Sequence, residues 1–409
     1  MNTLSAWERY IETLAPPSQI ELGLERIGQV WNSLTQVAPS QVITVAGTNG
    51  KGSTVEAAGV LAQAEGLTYG QYTSPHIHAI QERIRVNGTQ VSDHELVGAF
   101  EIIESARGSI FLTYFEFLTL AAFVIFERRD LDLWILEIGL GGRLDAVNII
   151  DPSVSIITSI GLDHQLFLGD NIESIAREKA GVMRSSTPTL TAATNVRAVL
   201  EAEALACKAQ LVWLDTALEH DKLSILASGE QIDLSGIQLP RDAVALACLA
   251  FGRLGYGLTQ AIEEPLSRRI LPGRMSRHMV SDRSWILDVG HNPAACKFVI
   301  STLAQSISED RRVVVFGALI DKDVDAMLPI LRAFTSRIVL VGISSDRGRD
   351  VESLENSWYL LFAQTCWRSF ATIEDALEGL PSELNSEDQV LVIGSFLLVA
   401  DSLKHDLFN

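Results

Sequence analysis

The sequence predicts an α/β protein made of two mainly parallel sheet domains, and three observations carry that prediction. Short β-rich apolar runs alternate with longer segments of helical spacing, the pattern of strands joined by helical crossovers. The alternation restarts near Trp285, after the Pro272-Gly273 break, so a second and smaller domain follows the first. Apolar residues make up 47% of 409, enough for more than one buried core and too many for a disordered chain.

Residues 42–46 form the first strand, followed by a glycine-rich loop and a helix through Ala64. TYGQYT (68–73) is the next strand, then comes a strongly apolar helix at 116–129, then the strands LDLWILEI (131–138) and VSIITS (154–159). Their near-continuous apolar character implies a sheet covered by helices on both faces. In the second domain WILDVG (285–290), RRVVVFGALI (311–320), RIVLVGI (337–343) and QVLVIGSFLL (389–398) are buried strands. The boundary falls in LPGR (271–274), which is also the candidate hinge and gives domains 1–273 and 274–409. Residues 214–238 alternate only weakly and specify no element.

The net charge is −19, from 32 Lys and Arg against 51 Asp and Glu. That field repels nucleic acid and anionic membranes, so neither is expected as a partner, and an anionic ligand needs a local nest of donors. Cys207, Cys248, Cys296 and Cys366 lie far apart with no CxxC pair. They offer neither a disulfide scaffold nor a zinc site and fit a reducing compartment. The N-terminal MNTLSAWERYIETL lacks the basic start, apolar core and cleavage site of a signal peptide. The most apolar helical stretch, 117–126, is about half of what a bilayer crossing needs. A cytoplasmic protein is the expectation.

The sharpest local signal is VITVAGTNGKGST (42–54), a strand, a loop of small residues and a helix start. Glycines let main-chain N–H groups converge on phosphate oxygens, and the helix N-terminus adds its positive end. Lys51 can reach the terminal phosphates, and Ser53 or Thr54 can offer a hydroxyl to Mg²⁺. Thr48, Asn49, Gly50, Lys51, Gly52, Ser53 and Thr54 are thus the nucleotide-binding candidates. The strict spacing GxxxxGK followed directly by Ser or Thr is not met: Val45 holds the first glycine position, and Gly52 separates the lysine from the hydroxyls. A glycine turn with a solvated lysine explains a bare Gly-Lys pair, but not strand, nest and hydroxyls in this order. The N-terminal domain is accordingly P-loop-type and the C-terminal one Rossmann-like.

GTNGKGS resembles the ATP loop of the Mur ligase superfamily, and the chain as a whole resembles the bacterial bifunctional dihydrofolate synthase/folylpolyglutamate synthase family. The supporting segments are IELGLERI (20–27), TSPH (73–76), ERIRV (82–86), TYFEF (113–117), EIGLGGRLDAVN (137–148), GLDH (161–164), IAREKAG (175–181), LPGR (271–274), DVGHNP (288–293) and DKD (321–323). The resemblance implies an ATP-dependent amide ligase of folate biosynthesis, acting as a monomer on dihydropteroate, folates and L-glutamate. ATP phosphorylates the pterin substrate's carboxylate, the α-amine of L-glutamate attacks the acyl phosphate, and phosphate leaves. A carboxylate is a poor electrophile and the acyl phosphate supplies the leaving group; the protein's share is placement and charge neutralisation.

Glu137 ends a strand, Ser74 follows TYGQYT and His164 follows VSIITS, so the three gather near Lys51 if those strands are neighbours. By resemblance Ser74, Glu137 and His164 are the Mg²⁺ ligands, with two ions and His164 on the second, although Mg²⁺ usually prefers oxygen. Outside that context Glu137 is a salt-bridged strand-end carboxylate and His164 a hydrogen-bonded structural histidine. Lys179, on its own surroundings in the sequence, is a solvated helix lysine. By resemblance it is the lysine that CO₂ carbamylates, which requires an amine of lowered pKa. Lys51, Lys179, His164 and Asp145 make up the implied catalytic set.

The resemblance places dihydropteroate on three segments: Glu21, Leu22, Gly23 and Leu24; Thr113, Tyr114, Phe115 and Glu116; and Leu144, Asp145 and Ala146. A flat heteroaromatic ring needs an apolar wall and a few orienting polar groups, roles suited to Phe115 and Asp145. Taken alone, Phe115 and Phe117 are core residues of an apolar helix. Arg274 and Asp288 are the implied ATP contacts of the second domain, and His291 a glutamate or nucleotide contact; alone, Arg274 is an exposed linker cation. Three positions depart from the family pattern: Arg241 where an adenine-contacting Asn is expected, and Ile320 and Leu397 where histidines are common. Two other readings stay open, a Mur-type ligase for peptidoglycan precursors and a nucleotide-binding paralogue without turnover. Against the first stands the absence of a recognisable UDP-binding domain before residue 42.

Overall fold

The computed structural model describes residues 3–34, 40–216, 218–219, 222–224, 231–234, 236–280, 283–364 and 366–408. The chain forms two compact units, Met1–Arg269 and Ile270–Asn409. In the first, the strands are β1 (Gln41–Ala46), β2 (Tyr69–Tyr72), β3 (Ile84–Val86), β4 (Thr89–Gln90), β5 (Leu133–Glu137), β6 (Val154–Ile157), β7 (Pro188–Thr191) and β8 (Gln210–Trp213). They make one sheet in the order β4-β3-β2-β5-β1-β6-β7-β8. From β2 to β8 every pairing is parallel, and β3 and β4 add a short antiparallel edge. β9 (Leu218–Glu219), β10 (Lys222–Ser224) and β11 (Gln231–Asp233) form a small antiparallel sheet within the weakly patterned 214–238 stretch, part of which lies outside the described residues.

The sheet is apolar for a physical reason: β5 is buried along its whole length and β1 from its second residue on, since helices cover both faces. The helix Tyr114–Arg128 is buried almost all round, packed by Trp7, Phe100 and Trp134 through Phe117, Phe123 and Phe126. It begins two residues before the apolar run because Thr113 caps it, with the Glu116 carboxylate reaching back to the cap. The helix Lys51–Ala64 carries a buried carboxylate, Glu56, which pairs with Arg85 (2.5 Å) and with Arg269. Among the described residues no helix is long and apolar enough to cross a membrane.

The second unit holds a six-stranded sheet of β12 (Ser276–Val280), β13 (Arg283–Asp288), β14 (Arg312–Phe316), β15 (Ile338–Val341), β16 (Arg368–Phe370) and β17 (Gln389–Ile393). Its order is β12-β13-β17-β14-β15-β16, parallel except for β12. The sequence pattern marks the four central strands. It does not mark β12 or β16, which are edge strands with exposed positions and too little apolar content to stand out.

Candidate active site

The loop after β1 owes its shape to Gly47 and to the residues that follow β6. Gly47 has φ +148°, and a Cβ there would sit 1.9 Å from Thr158 Oγ1, so only glycine fits. Thr158 Oγ1 donates to the Asn49 carbonyl at 2.7 Å, and Ser159 Oγ accepts from Asn49 N–H at 3.0 Å. Thr48 N–H donates to the Ser159 carbonyl at 2.7 Å, and Thr48 Oγ1 accepts from Gly161 N–H at 3.0 Å. The loop is thereby pinned along the GLDH segment, and Gly50, also left-handed, opens the helix at Lys51. Lys51 Nζ folds back on the carbonyls of Gly47 (3.1 Å) and Thr48 (3.3 Å).

Because β5 lies between β2 and β1, and β6 on the other side of β1, the segments bearing Ser74, Glu137, the phosphate loop and His164 leave adjacent parallel strands at one carboxyl edge. Glu137 ends β5, is 4% exposed, and accepts from Ser74 N–H at 3.2 Å. A Cβ on Gly52 would come within 3.6 Å of Glu137 Oε2, so the carboxylate lies over the first turn of the phosphate-loop helix. His164 sits in a left-handed turn, half-buried, with Nε2 3.9 Å from Asp163 Oδ1. Among the described residues no group of three His, Cys, Asp or Glu is placed to hold a metal ion. The side-chain oxygens carried by the segments at this edge include the Ser74 hydroxyl and the Glu137 and Asp163 carboxylates.

Lys179 is not the solvated lysine its sequence neighbours suggest. Gly142 abuts the Glu178 carbonyl, where a Cβ would lie at 2.7 Å, and Arg143 N–H donates to that same carbonyl at 2.8 Å. The 139–145 loop thus caps the helix Ile172–Ala180 and leaves Lys179 4% exposed, its Nζ donating to the Gly47 carbonyl at 2.8 Å. Two amines therefore share one carbonyl. Burial, and then the charge of Lys51, push the Lys179 pKa down to about 7, opposed by Asp163 and Asp145. Asp145 is buried as well and pushed up to about 7 by desolvation. Its oxygens already accept from Leu140 N–H (2.7 Å) and Val147 N–H (2.9 Å), which leaves lone pairs for a ligand.

The three segments assigned to dihydropteroate lie together. Gly23 N–H donates to the Leu144 carbonyl at 3.1 Å. Arg26 binds Glu21 Oε2 (3.1 Å), the Glu21 carbonyl (3.1 Å) and Glu116 Oε1 (3.2 Å). Phe115 is half-buried, against Gly139 and 6.0 Å from the Tyr72 ring, whereas Phe117 is core. Leu22 and Leu24 are half-buried, Thr113, Tyr114 and Ala146 are buried, and Glu21 is exposed.

In the second unit Asp288, at the end of β13 and 6% exposed, accepts from Met275 N–H (2.9 Å) and Gly290 N–H (2.7 Å). Burial raises its pKa, and Arg274 opposes the rise. Arg274 is half-buried over the Phe396 ring at 5.0 Å, not an exposed linker cation, and His291 lies 5.9 Å from the same ring. Of the departures from the family pattern, Ile320 and Leu397 are exposed and Arg241 opens the helix Arg241–Leu254. Sequence reasoning assigned no role to Thr158, Ser159, Asp163 or Arg26; the first three stand directly after a buried strand in TSIGLDH, which is the signal that marks them.

Residues 273–396 match the family described as Mur ligase, glutamate ligase domain. The chain is 37% identical over 405 residues to a dihydrofolate synthase/folylpolyglutamate synthase of Escherichia coli (strain K12), covering 97% of this chain and 94% of that one. Its structure resembles that of E. coli FolC in complex with DHPP and ADP, with TM-score 0.89, 35% identity and coverage of 98% and 97%. It also resembles a bifunctional folylpolyglutamate synthase/dihydrofolate synthase with Mn, AMPPNP and L-glutamate bound, with TM-score 0.87, 36% identity and coverage of 99% and 98%.

Proposed function

Because the chain belongs to the dihydrofolate synthase/folylpolyglutamate synthase family, we propose that it joins L-glutamate to dihydropteroate, and to folates, while ATP is split to ADP and phosphate. One observation carries the reading: the loop 47–51, Ser74, Glu137, the GLDH segment and buried Lys179 converge at one edge of the sheet, beside the three segments tied by Gly23 and Arg26. In this reading the loop amides and Lys51 hold the triphosphate, with Thr48, Asn49, Gly50, Gly52, Ser53 and Thr54 around it. The pterin ring lies against Phe115 with Asp145 and residues 21–24 orienting it, so that its carboxylate faces the terminal phosphorus. A carboxylate oxygen bonds to that phosphorus as the bond to ADP breaks; the glutamate amine then adds to the acyl carbon, loses a proton, and expels phosphate.

A divalent ion, Mg²⁺ in this reading, would neutralise charge on the phosphates, held by Ser74 and Glu137, with His164 on a second ion. The donors at the Ser74–Glu137 edge are oxygens, which suits Mg²⁺. Lys179 fits carbamylation, since a pKa of about 7 leaves much of the amine neutral and able to attack CO₂. Arg274 and Asp288 serve the nucleotide and His291 the glutamate, in a glutamate-ligase domain spanning 274–409. The protein acts as a cytoplasmic monomer.

Purified protein given dihydropteroate, L-glutamate and MgATP tests this by release of ADP. Dihydropteroate-dependent turnover that falls at least ~1,000-fold in Lys51→Ala is the expected result. Turnover only with a UDP-muramoyl acceptor, or nucleotide binding without turnover on any acceptor, would overturn the reading.

A further inference from the structure

The pterin segments are contributed by chain stretches about ninety and thirty residues apart, and something must fix their spacing. Gly23 provides one tie, a main-chain bond to Leu144. The other is Arg26, in the first turn of the helix Glu25–Leu34. One nitrogen of its guanidinium fork binds the Glu21 carboxylate, and the other spans the Glu21 carbonyl and Glu116 Oε1. Glu116 is 2% exposed, and its second oxygen is occupied by Thr113 N–H at 2.8 Å in the helix cap. Arg26 is its ion-pair partner, and Arg26 Nε is buried with no hydrogen-bond partner among the described residues. The side chain is thus held by its Nη contacts at the cost of an unsatisfied donor, which suits a part whose position matters more than its own stability. Among the described residues Arg26 is the charged side chain that bridges residues 21–24 and the Thr113–Glu116 cap.

We infer that Arg26 is a positioning residue for the pterin substrate: bridging Glu21 and Glu116, it sets the width of the slot between residues 21–24 and the Phe115 wall. The inference rests on the proposed dihydropteroate site. A planar, bidentate fork is required, because a lysine ammonium is a point charge that cannot hold both partners in one geometry. The consequence is selective. Widening the slot weakens pterin binding and leaves the phosphate loop untouched, since no Arg26 contact reaches residues 47–54.

The test is steady-state kinetics on Arg26→Met, Arg26→Lys and Glu116→Gln in the full chain, with thermal melts and AMPPNP titration reporting that each variant is folded. Expected is a rise of about tenfold or more in KM for dihydropteroate in Arg26→Met, with KM for ATP and kcat within about twofold of wild type. Arg26→Lys should recover less than half of that loss on a logarithmic scale. Glu116→Gln should raise the same KM, and the double variant Arg26→Met/Glu116→Gln should be no worse than the worse single one. Should Arg26→Met not fold, the milder Glu21→Gln, which leaves the Glu116 pair intact, should still raise KM for dihydropteroate about threefold. An unchanged KM for dihydropteroate in folded variants of an active enzyme overturns the inference, as does an equal loss in KM for ATP. Wild-type protein without dihydropteroate turnover overturns the proposed function instead.

Discussion

Replacing Lys179 by methionine should make the protein more stable and unable to ligate. Burial holds the Lys179 amine at a pKa of about 7, against 10.5 for a free lysine. Between these values the unfolded chain binds more protons than the folded one, so the lysine's penalty is complete below pH 7 and shrinks as pH rises towards 10.5. At about 1.4 kcal/mol per pH unit, the penalty is about 5 kcal/mol at pH 6 and about 2 kcal/mol at pH 9. Methionine removes it and forfeits one hydrogen bond to the Gly47 carbonyl, worth about 1 kcal/mol at either pH. The variant should therefore gain roughly 4 kcal/mol at pH 6 and roughly 1 kcal/mol at pH 9. The Lys179 value already includes the opposing charge of Asp145. Urea unfolding of both proteins in CO₂-free buffer at the two pH values measures this, alongside ADP release. A stability difference that is the same at pH 6 and pH 9, or a variant weaker at both, would refute the reasoning.

Gly47→Ala places a methyl on Thr158 Oγ1, which cannot turn away without releasing the Asn49 carbonyl; AMPPNP affinity should fall at least ~100-fold by calorimetry, about 2.7 kcal/mol, with the fold retained. Glu56→Gln takes a buried carboxylate from Arg85, which is largely buried, and from Arg269, which is partly exposed, so denaturant unfolding should show a loss of about 3 kcal/mol.

Much of the site was legible because its chemistry is local. The run from Val42 to Thr54 declares strand, loop and helix in thirteen consecutive residues, and Glu137 closes an apolar strand that has nowhere else to put a charge. What joins those parts is not local. Nothing in residues 69–72 or 133–137 says that β5 inserts between β2 and β1, although that pairing brings Ser74 to Glu137. The burial of Lys179 was invisible for the same reason: Arg177 and Glu178 beside it look solvated, and the cover comes from Gly142, on another loop. In the second unit β12 and β16 leave no apolar run because edge strands carry mixed polarity, and the helix Tyr114–Arg128 starts ahead of its apolar run because its first turn is set by the Thr113 cap.

The place of β5 in the sheet also dictates when, during synthesis, the protein can acquire a working site. Until Leu133–Glu137 has emerged from the ribosome and paired on both sides, β1 and β2 have no shared neighbour, and the two loops they carry are independent. The amine that shares the Gly47 carbonyl arrives more than forty residues later still. A nascent chain that ends before Lys179 therefore has the Gly-Thr-Asn-Gly-Lys segment but not the second amine that meets its first carbonyl.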